Sequence, residues 1–305
     1  MDRTDTGTAH YQNGGRRLGA DRGAMNKDSR ILVTGNTGMI GTAVSNELVH
    51  KGYILCASAP THIINCAGHI SNDSVETIDR NYKIQSNIFR FAVANGVKKL
   101  LNIASSSVYP VNGRQPYTEN QVGTGKTDPN WPYAIAKIAG IELCRAYHKQ
   151  YGCDFMTVIP CSIYGPHSRR GVVLDLINNF YESNGKQVEI KGSDLTRREF
   201  LCVDDFAKAV VMLMEKYNYK NLHDGVVNVG FGNDNTIGLL AMLIRSVVMP
   251  DAKYGFDNTD VGVRSRLMDS SLINRLGWKP ETQLLEGIKK TYRWYLAYRT
   301  HNQPS

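Results

Sequence analysis

Three clusters of residues have the types and spacings needed for chemistry on a carbonyl or an alcohol. The first is Tyr133-Ala-Ile-Ala-Lys137. On a helix, positions i and i+4 share a face, so a phenol and an ammonium lie side by side. The cation favours the phenolate, and the pair can then work as a general acid/base. The second is Ala104-Ser105-Ser106-Ser107-Val108-Tyr109-Pro110, where a hydroxyl at the end of a strand can hydrogen-bond the same substrate oxygen. The third is Gly35-Asn36-Thr37-Gly38-Met39-Ile40-Gly41. Between a strand and a helix, such glycines let the backbone turn tightly and approach a pyrophosphate resting on the helix N-terminus. The spacing is GxxGxxG, not GxGxxG. Singly, each has an ordinary explanation: a surface helix pair, a polar loop, a Gly-rich turn. Their joint occurrence, in this order, is what carries weight.

The elements that must position these clusters alternate along the chain. Residues 30–35 read as a short buried strand, 41–51 as a helix, 62–68 as a buried strand, and 75–95 as a long helix stopped by Asn95-Gly96. Residues 99–106 read as a strand, 132–150 as a helix with Pro132 in its first turn, and 155–161 as a strand. Short apolar strands alternating with helices predict βαβ units and a parallel sheet. Beyond Gly165-Pro166 the spacing is less regular. Helical patterns occur near 172–182, 204–216, 236–248 and 284–298, and strand patterns at 187–190 and 226–230. This predicts a smaller domain interleaved with the end of the sheet.

Composition narrows the function classes. The chain has 305 residues, 42% hydrophobic and 21% charged, which excludes a mainly disordered or fibrous protein. No apolar run is long enough to span a bilayer. Cys56, Cys66, Cys144, Cys153, Cys161 and Cys202 form no CxxC pair and no metal-ligand spacing, so reduced thiols in the cytoplasm are expected and no metal is. The net charge of +8 comes from scattered basic residues. With no basic block or nucleic-acid motif, it fits an enzyme of an anionic substrate better than a nucleic-acid binder. Residues 1–29 lack apolar periodicity and read as a disordered tail. Asp2, Asp5, Asp21 and Asp28 argue against a transit peptide.

Together the three clusters resemble the extended branch of the short-chain dehydrogenase/reductases, the NAD-dependent epimerase/dehydratase family, over nearly all of residues 30–298. Tyr133-Ala-Ile-Ala-Lys-Ile-Ala-Gly-Ile-Glu-Leu-Cys144, Gln150-Tyr-Gly152, Ile163-Tyr-Gly-Pro166, Arg198-Glu-Phe-Leu-Cys-Val-Asp-Asp205, Asn228-Val-Gly230 and Leu276-Gly-Trp278 are similar to the GDP-L-fucose synthase group within it. The resemblance implies an α/β fold: a Rossmann-like doubly wound parallel sheet over 30–170 and a mainly substrate-binding domain over 171–305, with segments around 204–230 returning to the first. It implies NADP(H), with NAD(H) as the other possibility, a nucleotide-sugar substrate, and a homodimer formed through the helix of Tyr133 and its neighbour. Carried over residue by residue, it makes Ser105, Tyr133 and Lys137 catalytic, with Ser107 at the position of an epimerisation cysteine. Gly35 through Gly41, Ala67 and Pro160-Cys161-Ser162-Ile163 join Ser105 and Lys137 around the cofactor. Lys191, Arg198 and Asp269 are implied substrate contacts, Arg198 by its guanidinium on a diphosphate; a salt bridge from Arg198 to a nearby Asp is the competing role.

Four departures shape the expectation. Ser107 replaces a thiol with a far poorer acid/base, and Gly171 falls where the group has a histidine, with His167 and His69 as possible substitutes. The reductase set is intact, while 3,5-epimerisation is in question. Ser106 and Ser107 stand where 4,6-dehydratases carry Asp-Glu, which argues against that activity. Finally, Tyr53–Ala59 is followed almost at once by Pro60-Thr61-His62, whereas a parallel crossover needs a dozen or more residues. The sheet is therefore expected to be shortened near 59–62, with 53–59 a connector and not a parallel strand, leaving the first strand near an edge and the cofactor grip weakened. No acidic residue ends that segment, which disfavours NAD. A 4-epimerase with bound NAD and a catalytically degenerate binding homologue are the alternative readings.

Overall fold

A computed structural model describes residues 23–71, 73–127, 132–259 and 263–302. Strand β1 (Arg30–Thr34) leads through a glycine-rich turn into helix α1 (Met39–His50), whose buried face is Gly41, Val44 and Leu48. After β2 (Ile54–Leu55) and β3 (His62–Asn65) comes α2 (Ser74–Ala94), capped by the Asp73 carboxylate on the Glu76 N–H. Strand β4 (Lys99–Ile103), helix α3 (Tyr133–Tyr151) and β5 (Asp154–Pro160) follow. Helix α3 ends at Gly152, whose φ of 69° is left-handed. Then come β6 (Ser162–Tyr164), α4 (Val172–Glu182), β7 (Val188–Ile190), β8 (Arg197–Arg198), β9 (Phe200–Cys202) and α5 (Val203–Lys216). The chain continues through β10 (Val226–Val229), β11 (Asn235–Thr236), α6 (Ile237–Val248), β12 (Tyr254–Phe256), α7 (Ser271–Arg275) and α8 (Leu284–Asn302).

Six parallel strands form one sheet in the order β10-β5-β4-β3-β1-β2. Helices α1 and α5 pack together on one face, α2 and α3 on the other. Covered on both faces, β3 and β4 are buried at every position, so their side chains show no alternation of buried and exposed positions. Strand order reverses between β1 and β3, so the C-terminal ends of these two strands flank the crevice where doubly wound sheets bind ligands. A second core gathers Ile177, Phe180, Leu240, Ile244 and Ile288 between α4, α6 and α8, with the β7–β12 ribbon alongside.

Two expectations need correcting. Residues 53–59 do contain a strand in parallel register with β1: Arg30 pairs with Ile54 and Ile31 with Leu55. The crossover requirement holds for a strand of ordinary length. This one stops after two residues, and 56–61 pass directly under the start of β1, where the Cys56 N–H donates to Ile31 O and the Thr61 N–H to Arg30 O. A strand that never climbs the sheet needs no long return. The edge it leaves is bare: Ile54 is 55% and Leu55 38% exposed, and no strand among the described residues covers Leu32–Thr34 on that side. The second correction concerns the expected tail. Residues 1–22 lie outside the described residues, but 23–29 pack onto the domain. Met25 is buried in the main core, its N–H donates to Met214 O, and His62 Nε2 meets Gly23 O at 3.1 Å. Burying one methionine contributes about 1.5–3 kcal/mol and, with these hydrogen bonds, helps to hold a segment that sequence polarity alone assigned to a tail. No helix of the described residues is long and apolar enough to cross a membrane.

Candidate active site

The glycine-rich turn is shaped by two close approaches. Gly35 has φ +66°, and a Cβ there would lie 2.8 Å from Ala67 Cα. At Gly41 a Cβ would lie 2.1 Å from Gly35 O. These two glycines let the β1–α1 turn press against the end of β3 and let α1 start close to the sheet. Gly38 is different. It is the N-cap of α1, extended at φ −87° and ψ 167° with no side-chain cap, and a Cβ there would meet only Gly35 O, at 3.4 Å. The fold does not require glycine at 38, and its lack of a side chain leaves room for a ligand at the helix N-terminus. This cradle fits the diphosphate of a dinucleotide, with Asn36 and Thr37 exposed beside it and Met39, Ile40 and Gly41 opening the helix.

Across the crevice, α3 brings Tyr133 and Lys137 to one place. A Cβ on Gly68 would lie 3.4 Å from Tyr133 Oη, 3.6 Å from Asn81 Oδ1 and 4.0 Å from Lys137 Nζ. Gly68, just past Ala67, therefore leaves the gap into which three polar groups point. Lys137 is 2% exposed, and its Nζ donates to Ile103 O at 2.6 Å while standing 5.2 Å from the Tyr133 ring centre. That carbonyl ends β4, so strand and helix hold the ammonium between them. Immediately after it, Ser105 caps a short 3-10 turn. Its Oγ accepts both the Ser107 N–H (3.2 Å) and the Ser107 hydroxyl (3.0 Å). With two donors aimed at it, the Ser105 hydrogen is left for another acceptor. Ser107 is 1% exposed and spends its own hydrogen on Ser105.

At the C-terminal end of β5, Pro160 pairs with Val229, the Cys161 N–H donates to Val229 O, and the Ser162 N–H donates to Glu199 O. Burial pushes the Cys161 thiol well above its ordinary range, so it is a neutral packing group there. Beyond Ser162 and Ile163 a cleft of about 130 Å³ opens toward the second layer, walled by Tyr164, Arg170, Phe200 and Thr291.

The implied substrate residues are more scattered. Arg198 is half-buried on β8, its Nη1 donating to Arg197 O. Its neighbour Arg197 pairs with Asp234 at 2.6 Å. Asp269 accepts the Ser271 N–H at 2.8 Å at the start of α7. Lys191 stands exposed after β7, in the second layer. Of the histidines considered for epimerisation, His167 has its ring 5.5 Å from that of Trp294 and His69 Nε2 faces Glu76 at 3.4 Å. Gly171, the N-cap of α4, has φ 108°.

Several positioning residues escape sequence reading because their partners are distant in the chain. Asn228 accepts the Tyr109 hydroxyl, takes the Glu119 carboxylate on its N–H, and donates from Nδ2 to Tyr117 O and Asp269 O. Glu199, 1% exposed, accepts the N–H groups of Gly232 (2.7 Å) and Met268 (3.2 Å). Desolvation pushes its carboxyl up to about 7 against those bonds. A buried chain runs Thr34–Asn65–Asn102–Gln85 beneath the crevice and ends on Ala136 O, next to Lys137. Glycine at 140 makes room for it, since a Cβ there would fall 1.8 Å from Gln85 Oε1. Their only sequence signal is polarity inside otherwise apolar segments.

This arrangement of glycine-rich turn, Ser, Tyr and Lys can be compared with known proteins. Residues 54–230 match the NAD dependent epimerase/dehydratase family. The chain belongs to that family. Within it, the chain is 36% identical to the probable GDP-L-fucose synthase 1 of Oryza sativa subsp. japonica, covering 88% of this chain and 93% of the relative. It is 34% identical to the GDP-L-fucose synthase of Escherichia coli strain K12, covering 88% and 96%. Among solved structures, the GDP-mannoheptose C4 reductase of Campylobacter jejuni with NADP bound superposes with a TM-score of 0.83 at 28% identity, covering 90% of this chain and 100% of that one.

Proposed function

We propose that this protein is an NADP(H)-dependent reductase acting at C4 of a GDP-linked 4-keto-6-deoxyhexose, without 3,5-epimerisation. The observation that carries the reading is the convergence of Tyr133 Oη and Lys137 Nζ on Gly68, across the crevice from an N-cap glycine that the fold itself does not need. The bound dinucleotide supplies a hydride to the sugar C4. Tyr133 gives its proton to O4, Lys137 holds its place through Ile103 O with its charge beside the phenol, and Ser105 directs its remaining hydrogen to the same oxygen. Lys191, Arg198 and Asp269 are the groups we assign to the substrate, with Arg198 on its diphosphate, and Pro160–Ile163 with Ala67 to the cofactor. NADP is favoured over NAD because the β2 edge carries no acidic residue to take a ribose diol.

Epimerisation is left out because Ser107 is a buried hydroxyl already bonded to Ser105. The test is oxidation of NADPH with GDP-4-keto-6-deoxymannose, run in D2O. We expect turnover without deuterium at C3 or C5, and a fall of about 10²-fold or more in kcat for Tyr133→Phe. Full activity of that variant sinks the mechanism, and deuterium at C3 or C5 sinks the restriction to reduction. We also assign a cytoplasmic homodimer, supported by the six free thiols and by Val75, Tyr82 and Ile135, exposed at 76%, 46% and 54% on α2 and α3. Sedimentation as a 34.0 kDa monomer would refute the dimer.

A further inference from the structure

The cofactor reading leaves a charge problem. Residues 31–61 contain the glycine-rich turn and the sheet edge beside it, yet their only Asp, Glu, Lys or Arg residues are Glu47 and Lys51. Lys51 follows the last turn of α1, roughly 18 Å from its start, and is paired with Glu215 at 2.9 Å. A dinucleotide diphosphate brings two negative charges, against which a helix N-terminus offers about half a charge.

Two cations arrive from another part of the fold. In the loop after β6, Arg169 Nη2 donates to Thr37 O at 3.4 Å and Arg170 Nη2 to Ile70 O at 3.3 Å. Thr37 immediately precedes the N-cap Gly38. Ile70 lies three residues beyond Ala67, after β3. The two arginines thus reach from the second layer over both lips of the crevice. Their backbone is set firmly: Gly165, His167 and Gly171 have φ of 150°, 64° and 108°, Ser168 is 8% exposed, and its Oγ donates to Arg170 O at 2.8 Å. The guanidiniums themselves are exposed. Their bonds to neutral carbonyls are long, near the limit of a hydrogen bond. A phosphate offers shorter, charge-assisted and bidentate ones.

We propose that Arg169 and Arg170 form the cationic half of the cofactor site, exchanging these backbone carbonyls for the diphosphate oxygens of the bound dinucleotide. This rests on the dinucleotide reading above. It assigns the two residues to the diphosphate because Thr37 adjoins the N-cap on which that group rests.

The test is direct titration of the full chain and its Arg169→Ala and Arg170→Ala variants with NADPH, NADH and GDP, at low and high salt. Because both side chains are exposed, thermal midpoints should not move. Each variant should raise the Kd for NADPH and NADH alike by about tenfold, with a shallower salt dependence than the wild type and no change for GDP. Arg169→Lys should fall between, keeping the charge but not the fork. Unchanged affinity for both dinucleotides overturns the proposal. So does a loss confined to NADPH, which would place the cations on the 2′-phosphate, or one confined to GDP, which would place them on the substrate. Folded wild type that binds neither dinucleotide overturns the cofactor reading and this proposal with it; wild-type binding retained by the variants overturns this proposal alone.

Discussion

Replacing Gly38 by alanine separates what the fold needs from what a ligand needs. The backbone there is extended, at φ −87° and ψ 167°, a region alanine occupies freely. The new methyl would meet only Gly35 O, at 3.4 Å, an ordinary van der Waals contact. Stability should therefore hold or rise, by about 0.4–1 kcal/mol, because alanine restricts the unfolded chain. At Gly41 the same methyl would fall 2.1 Å from Gly35 O and 2.6 Å from Gly35 C. Those are backbone atoms of a turn already packed on Ala67, so Gly41→Ala should cost about 1–3 kcal/mol. Binding should show the reverse emphasis. A methyl on this N-cap residue takes up space at the helix N-terminus, where a phosphate must come close enough to accept amide hydrogens. Losing one charge-assisted bond costs about 1.5–3 kcal/mol, or roughly 10–100-fold in Kd. Thermal melts and NADPH titrations on both variants read the two effects separately. Gly38→Ala that binds NADPH as the wild type does would refute the cradle.

Three further outcomes follow from the same structure. Gly140→Ala, whose methyl would fall 1.8 Å from Gln85 Oε1, should push Gln85 out of its bonds to Asn102 and Ala136 O and cost about 1–3 kcal/mol, seen in denaturant midpoints. Lys137→Met should keep the helix but lose the bond to Ile103 O, lowering kcat of the NADPH-dependent reduction about 10²-fold or more; wild-type kcat would show that the ammonium is dispensable. For Glu199, burial raises the carboxyl from 4.5 to about 7, so between those pH values the folded chain holds a proton that the unfolded chain has released. This contribution to stability is full below about 4.5 and falls as pH rises to about 7, by about 3 kcal/mol at most. Subtracting the pH–stability curve of Glu199→Gln from that of the wild type should expose that fall, and a flat difference would refute it.

Legibility from sequence divided by range. Tyr133 and Lys137 are four residues apart on one helix, so their meeting is a local consequence of helix geometry. Helices expected near 172–182 and 236–248 formed at Val172–Glu182 and Ile237–Val248, because each buries an apolar stripe with a period of 3.6. What remained hidden was long-range. Nothing near Asn228 announces that it will tie Tyr109, Tyr117, Glu119 and Asp269 together, nor near Glu199 that it will gather Gly232 and Met268. Likewise, nothing near Arg197 in the chain announces its ion pair with Asp234. The β2 error had another origin. A parallel crossover of a dozen residues is needed after a full strand, but a two-residue strand pairs at the start of β1 and turns back beneath it.

That short edge and the serine pair point to the same division of labour. On the proposed reading, reduction at C4 requires one proton at one oxygen: the Tyr133 phenol and the Lys137 ammonium, pinned by Ile103 O, meet at Gly68, and the acceptor side of the Ser105 hydroxyl, two residues past that carbonyl, is filled by Ser107. Epimerisation asks for more, since breaking a C–H bond needs a base on one face and an acid on the other. Ser107 is a buried alcohol whose hydrogen is committed to Ser105, and its bond there helps orient the reductive donor. Restoring a thiol by Ser107→Cys should therefore not create an epimerase. The larger, weaker donor would loosen the bond to Ser105, and one substitution supplies no second acid/base for the opposite face. The expected result is a lower kcat for reduction with still no deuterium at C3 or C5; exchange appearing in that single variant would show that one residue alone had withheld the second activity.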